Sequence, residues 1–149
     1  MNAASRPYVL VVARIFMATI FIVAGIDKIL TPDGIRQYME SRHVPGGLLW
    51  LVVIFEIAGG GLILVGYQTR VVAAALAAYC VLTAAIFHAN FTDQNQLIHF
   101  MKNFAMAGGF LVLASFGPGR LSVDGEGALR VAEGRFGGSA RAEGALPRD

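Results

Sequence analysis

The sequence predicts an all-α fold, a four-transmembrane-helix bundle with a short interfacial helix between the first and second spans. Apolar residues make up 56% of the 149-residue chain and charged residues only 15%, too few for an ordinary soluble surface. Mean hydropathy is +0.61. Four apolar segments reach the ~20 residues that cross ~30 Å of hydrocarbon. The length suits one domain. A net charge of +2, carried by scattered arginines, is no nucleic-acid footprint. The single cysteine, Cys80, excludes an intramolecular disulfide and any Cys-x-x-Cys site.

The first span covers about residues 8–30, with Pro7 suited to a first helical turn. Arg6 and the apolar run behind it look like a secretory signal, but Arg14 interrupts the run, so the segment is read as a retained helix. At ~100° per residue, Arg14, Ala18, Phe21, Gly25 and Lys28 fall on one face. A cation inside a span costs roughly 2.5–3.5 kcal/mol, so this face is expected to meet a partner or a wet cavity. In the following stretch, Thr31 suits a cap and Pro32 a first helical position. Ile35, Tyr38 and Met39 share a face there, which predicts an amphipathic helix at the membrane surface; a plain polar loop is the rival reading.

The second span covers about residues 48–66. Glu56 lies ~12 Å deep in it at 1.5 Å per residue. Two readings of this acid stay open. It handles a proton or a bound headgroup, or it pairs with Arg14, Lys28 or Lys102 and fixes helix register. The Gly59-Gly60-Gly61 run suits close helix approach; it lacks the strand and Gly-Lys-Ser/Thr of a phosphate loop. Tyr67–Arg70 is a tight turn that makes the second and third spans antiparallel neighbours.

The third span covers about residues 71–89, with a stripe of Ala74, Ala77, Val81, Ala84 and His88; Cys80 lies off the stripe and is read as inert packing. The fourth covers about residues 97–116 and opens with His99, Lys102 and Asn103. Antiparallel topology brings these residues and His88 level with Glu56 and Lys28. The histidines lack the i, i+4 spacing of a helical metal site, so no metal is expected. Axial haem ligation by His88 and His99 is the weaker reading, and hydrogen bonding to a quinone-like headgroup the stronger. Residues 1–125 form the membrane domain and 126–149 a flexible cytoplasmic tail rich in Gly, Arg, Ala and Glu. Arg6, Arg70, Arg120 and Arg130 fall on one side of the four spans, which places both termini in the cytoplasm.

These residues resemble the DoxX family of small bacterial four-helix membrane proteins. Its Arg…Gly-x-x-Lys pattern is met by Arg14, Gly25 and Lys28, with Ala18 where the family often has glycine. Its Glu…Gly-Gly…Leu…Gly…Thr-Arg pattern is met by Glu56, Gly59, Gly60, Leu64, Gly66, Thr69 and Arg70. Lys102-Asn103 with Gly108-Gly109 matches the fourth span, and Gly117–Arg120 with Ser122–Gly125 matches the closing segment. The resemblance implies a four-helix bundle in the plasma membrane. It also implies a link to quinone-coupled oxidation of sulfur compounds or to complexes handling oxidative or thiol stress. No catalytic residue set transfers with it.

The expected function is therefore a membrane subunit or partner of a quinone- or thiol-linked redox system, with Arg14, Lys28, Glu56, His88, Lys102 and Asn103 as its polar site. It would hold a quinone or a redox partner protein in the bilayer, and a homo-oligomer is compatible with so small a bundle. The non-enzymatic alternative is a scaffold or assembly factor whose polar cluster only locks the helices. A small-solute permease is disfavoured, because no pair of broken helices is evident.

Overall fold

Helix ends fall where the sequence is punctuated. The structure, a computed structural model, describes residues 6–125. Helix α1 (Arg6–Leu30) passes through Thr31 into α2 (Pro32–Ser41), where Pro32 occupies the first turn. Thr31 does not cap α2 with its side chain. Its hydroxyl and its N–H both donate to the Asp27 carbonyl at 2.9 Å, satisfying an acceptor left free at the end of α1. A 3-10 turn (Gly46–Leu48) leads into α3 (Leu49–Val65). Gly66, at φ 73°, ends α3 in the left-handed conformation that glycine tolerates best. Next come α4 (Thr69–Phe87) and α5 (Gln94–Phe116). The Asp93 carboxylate caps α5, accepting from Asn95 N–H at 2.8 Å.

Among the described residues, four helices, α1, α3, α4 and α5, are long and apolar enough to cross a membrane, and α2 lies between the first two, as the sequence predicts. Helix α1 packs on α3 and α4 on α5, each pair antiparallel; the two seams between the pairs are more thinly packed. Glycines let α1 and α3 approach closely. A Cβ at Gly60 would sit 2.9 Å from Ile22 Cγ1 and 3.1 Å from the Ala18 carbonyl, whereas Gly61 faces nothing within 4 Å. The close approach thus uses only part of the triple-glycine run.

The buried stripe of α4 is Ala73, Ala77, Cys80 and Ala84, turned from the expected Ala74, Ala77, Val81, Ala84 and His88. An almost wholly apolar helix carries little rotational signal, so its partner α5 decides which small side chains face inward. Cys80 is part of that face, 1% exposed. Phe21 and Phe110 meet edge-to-face at 5.4 Å in the core, with Ile63 and Leu76 around them. At one end, Met39 of α2 packs on Leu49 and Val53. At the other, residues 117–125 fold back against the α3–α4 turn.

A candidate polar site under the short helix

Lys28 and Glu56 sit on the facing stripes of α1 and α3, and the glycine-mediated approach of these helices brings them together. Lys28 Nζ lies 2.9 Å from Glu56 Oε2. Lys28 is in the last turn of α1, where a cation also favours the negative end of the helix dipole. From the opposite helix pair, Tyr79 donates its hydroxyl to Glu56 Oε1 at 2.6 Å. The Tyr79 ring is held between Phe55, at 5.1 Å, and Phe21, at 6.1 Å. Glu56, only 4% exposed, thus has a cation on one oxygen and a phenol on the other.

The polar wall continues along α4 and α5. Thr83, one turn beyond Tyr79, places its hydroxyl 2.9 Å from the Tyr79 carbonyl and 3.2 Å from Asn103 Oδ1. Asn103 donates to the His99 carbonyl at 3.0 Å. His88 Nδ1 lies 2.8 Å from Gln96 Oε1, and the His88 and His99 rings stack at 5.1 Å. A stack opposes ring faces and does not converge ring nitrogens on an axial position, an arrangement unlike a bis-histidine haem site. Among the described residues, no three His, Cys, Asp or Glu side chains converge as metal ligands.

Lys28, Glu56, Tyr79, Thr83, His88, His99 and Asn103 line one cavity of about 510 Å³ whose roof is apolar and built by α2. Of the six residues expected to form the polar site, Lys28, Glu56, His88 and Asn103 line it, and so does His99. Lys102 is exposed on the outside of α5 and does not line it. Arg14 shares the buried face of α1 but lies roughly 21 Å along the helix from Lys28. There Arg14 Nη2 donates to the Leu121 carbonyl at 2.6 Å. Tyr79 and Thr83 complete the site and were not anticipated. The available signal was a tyrosine in mid-span, away from the interfaces where tyrosine usually gathers.

Arg14 belongs to a second polar centre. Asp124 accepts from the N–H groups of Gln68, at 3.0 Å, and Thr69, at 2.9 Å, supplying from a distance the cap that Gln68 does not give α4. Its own N–H donates to the Gly66 carbonyl at 2.9 Å. Burial pushes the Asp124 carboxyl up, but those two N–H groups and the Arg14 charge outweigh it and hold the group below its ordinary value. A Cβ at Gly66 would collide with Arg14 and Ser122, so the closing segment and the left-handed turn require glycine there.

Residues 9–89 match the DoxX family. The chain is 48% identical over 113 residues to inner membrane protein YqjF of Escherichia coli (strain K12), an alignment covering 76% of this chain and 87% of the relative. It is 38% identical over 129 residues to inner membrane protein YphA of the same organism, covering 81% of this chain and 91% of the relative. No solved structure matches the chain.

Proposed function

The chain belongs to the DoxX family, and we propose that it serves as the membrane subunit of a quinone- or thiol-linked redox system, binding a quinone headgroup against Glu56. The observation that carries this reading is the cavity. A bundle needing its polar cluster only as a lock would fill the space with side chains at ordinary packing density. Instead about 510 Å³ remains open beside a buried carboxylate, a phenol, an amide and an ammonium, a size in the range of small-molecule sites. The residues fit a quinone. Apolar walls suit the ring, Lys28 and Asn103 offer donors to carbonyl oxygens, and Glu56 offers an acceptor to a hydroxyl.

A bound quinone supplies two-electron, two-proton chemistry. The chain's residues orient the ring, and the Tyr79 hydroxyl holds its proton toward Glu56 Oε1. Electrons come from a redox partner protein, because Cys80 is buried against α5 outside the cavity and offers no accessible thiol. The excess of arginine at the end that holds Arg70 and Arg120 orients that end to the cytoplasm, which puts the cavity in the outer half of the bilayer.

The 2.9 Å Lys28–Glu56 pair favours a second reading, a scaffold in which the pair sets helix register. Purification in gentle detergent, with an absorption spectrum and lipid-phase mass spectrometry, separates the two. Stoichiometric quinone is the expected result. Protein free of quinone, carrying a stoichiometric partner protein, would establish the scaffold and overturn the proposal.

A further inference from the structure

The cavity is covered above and below, and the difference between its two side seams identifies how its ligand arrives. Above, α2 covers it. Met39 packs on Leu49 and Val53, and the Tyr38 hydroxyl donates to the Phe87 carbonyl at 3.1 Å. Below, the Phe21–Phe110 pair and its neighbours fill the bundle. On the α3–α4 side, Phe55 of α3 lies against Tyr79 of α4 at 5.1 Å across the seam, and Tyr38 of α2 lies against Phe87 of α4 at 5.6 Å above it. The α1–α5 seam differs. Its lower part is sealed where Met17 fills the space over Gly109, 3.2 Å from where a Cβ would stand. Among the described residues, no hydrogen bond or ion pair joins α1 to α5, and the aromatic pair joining them is Phe21–Phe110. Above that pair, Ile20 of α1 and Met106 of α5 both line the cavity, and Ile20 is 47% exposed on the surface that faces lipid. Among the described residues no hydrogen bond, ion pair or aromatic pair crosses the seam at that level, so this exposed wall is where the cavity opens into the bilayer.

We infer that the site is filled sideways from the membrane through the α1–α5 seam, and that its ligand is a quinone with an isoprenoid tail that stays in the seam against Ile20 and Met106. The inference rests on the quinone reading above and adds the ligand's tail, its route and the residues that admit it. The ring passes between the apolar side chains of Ile20 and Met106 before it reaches Lys28, Glu56 and Asn103. The tail remains in a medium it already prefers, so entry desolvates only the ring oxygens, which then meet polar groups on the wall. Leu82 of α4 also lines the cavity and is lipid-exposed, on the bridged α3–α4 side, and it supplies the internal comparison.

The test uses the full chain in lipid nanodiscs with two probes, a naphthoquinone bearing an isoprenoid tail and menadione, the same ring without one. Ile20→Trp and Leu82→Trp each enlarge a half-exposed side chain at a lipid-facing position, and size-exclusion profile and melting check that both fold. The expected result is that Ile20→Trp slows uptake of the tailed quinone by about an order of magnitude, with menadione affinity within about twofold of the parent's, while Leu82→Trp changes neither. Uptake of the tailed probe at the parent rate by Ile20→Trp overturns the route, as does slowing by Leu82→Trp alone. An equal loss of both probes in Ile20→Trp overturns it too, because that pattern is a distorted pocket. Parent protein that binds neither probe overturns the quinone reading itself, a failure distinct from the others.

Discussion

Glu56 is held by two partners of different kinds, and substitutions can separate them. Glu56→Gln keeps the shape and a hydrogen bond with Tyr79 but leaves Lys28 without its counter-charge. Removing one member of a buried pair typically costs roughly 3–5 kcal/mol. The Lys28 side chain is 20% exposed, so water relieves part of that cost and the variant is expected to accumulate while losing bound quinone. The double variant Lys28→Met with Glu56→Gln should regain melting temperature without regaining quinone. Recovery of both would assign the pair a purely structural role. Tyr79→Phe removes a hydrogen bond to a charged group, worth about 1.5–3 kcal/mol, and is expected to lower melting and weaken quinone binding together. Cys80→Ala should leave expression and quinone content intact, and loss of function at normal abundance would revive thiol chemistry. Lys28 and Glu56 were legible in the sequence because ionisable groups in apolar spans stand out. Tyr79 was not, since an aromatic among alanines reads as packing. Arg14 was grouped with Glu56 because it shares the face of Lys28, but its partner is the Leu121 carbonyl, which no local pattern encodes.

At the scale of elements, α4 depends on a residue outside it. Asp124 caps its N-terminus, and the third span accordingly begins at Thr69, two residues before the expected boundary. Loss of a capping side chain costs about 0.5–2 kcal/mol, so Asp124→Ala should loosen the α3–α4 turn by that order. The pH dependence has a definite sign. A carboxyl whose folded pKa is lowered stabilises fully above its unfolded value, near ~4, and the contribution is lost as pH falls through the lower folded value. Hydrogen exchange in residues 117–125 should therefore rise in acid, less so in Asp124→Asn. Equal acid response in the two proteins would assign the effect elsewhere. Gly60→Leu should abolish folded protein in detergent, because the new side chain meets Ile22 and the Ala18 backbone; Gly61→Leu, facing open space, should be tolerated. Length and composition revealed the spans, and proline with a shared apolar face revealed α2. The inward face of α4 was hidden because apolar residues surround that helix.

Across the whole molecule, two antiparallel pairs stand against each other with a cavity between them under α2. The number of spans was readable from hydropathy. The pairing was not, because glycine positions show where helices can approach without showing which neighbour is met. The expected tail, residues 126–149, lies outside the described residues. Reporter fusions after Gly125 and after Asp93 should report opposite compartments, with the first cytoplasmic; matching signals would contradict four spans.

The most direct measurement is photolabelling of the full chain in nanodiscs with an azido-quinone, the adducts being mapped by peptide mass spectrometry. Adducts should concentrate on Val52–Glu56, Tyr79–Thr83 and His99–Asn103, the segments that line the cavity, and should vanish with excess unlabelled quinone and in Glu56→Gln. Adducts spread over lipid-facing residues such as Leu51, Val71 and Leu111, and insensitive to competitor, would contradict a quinone site at Glu56.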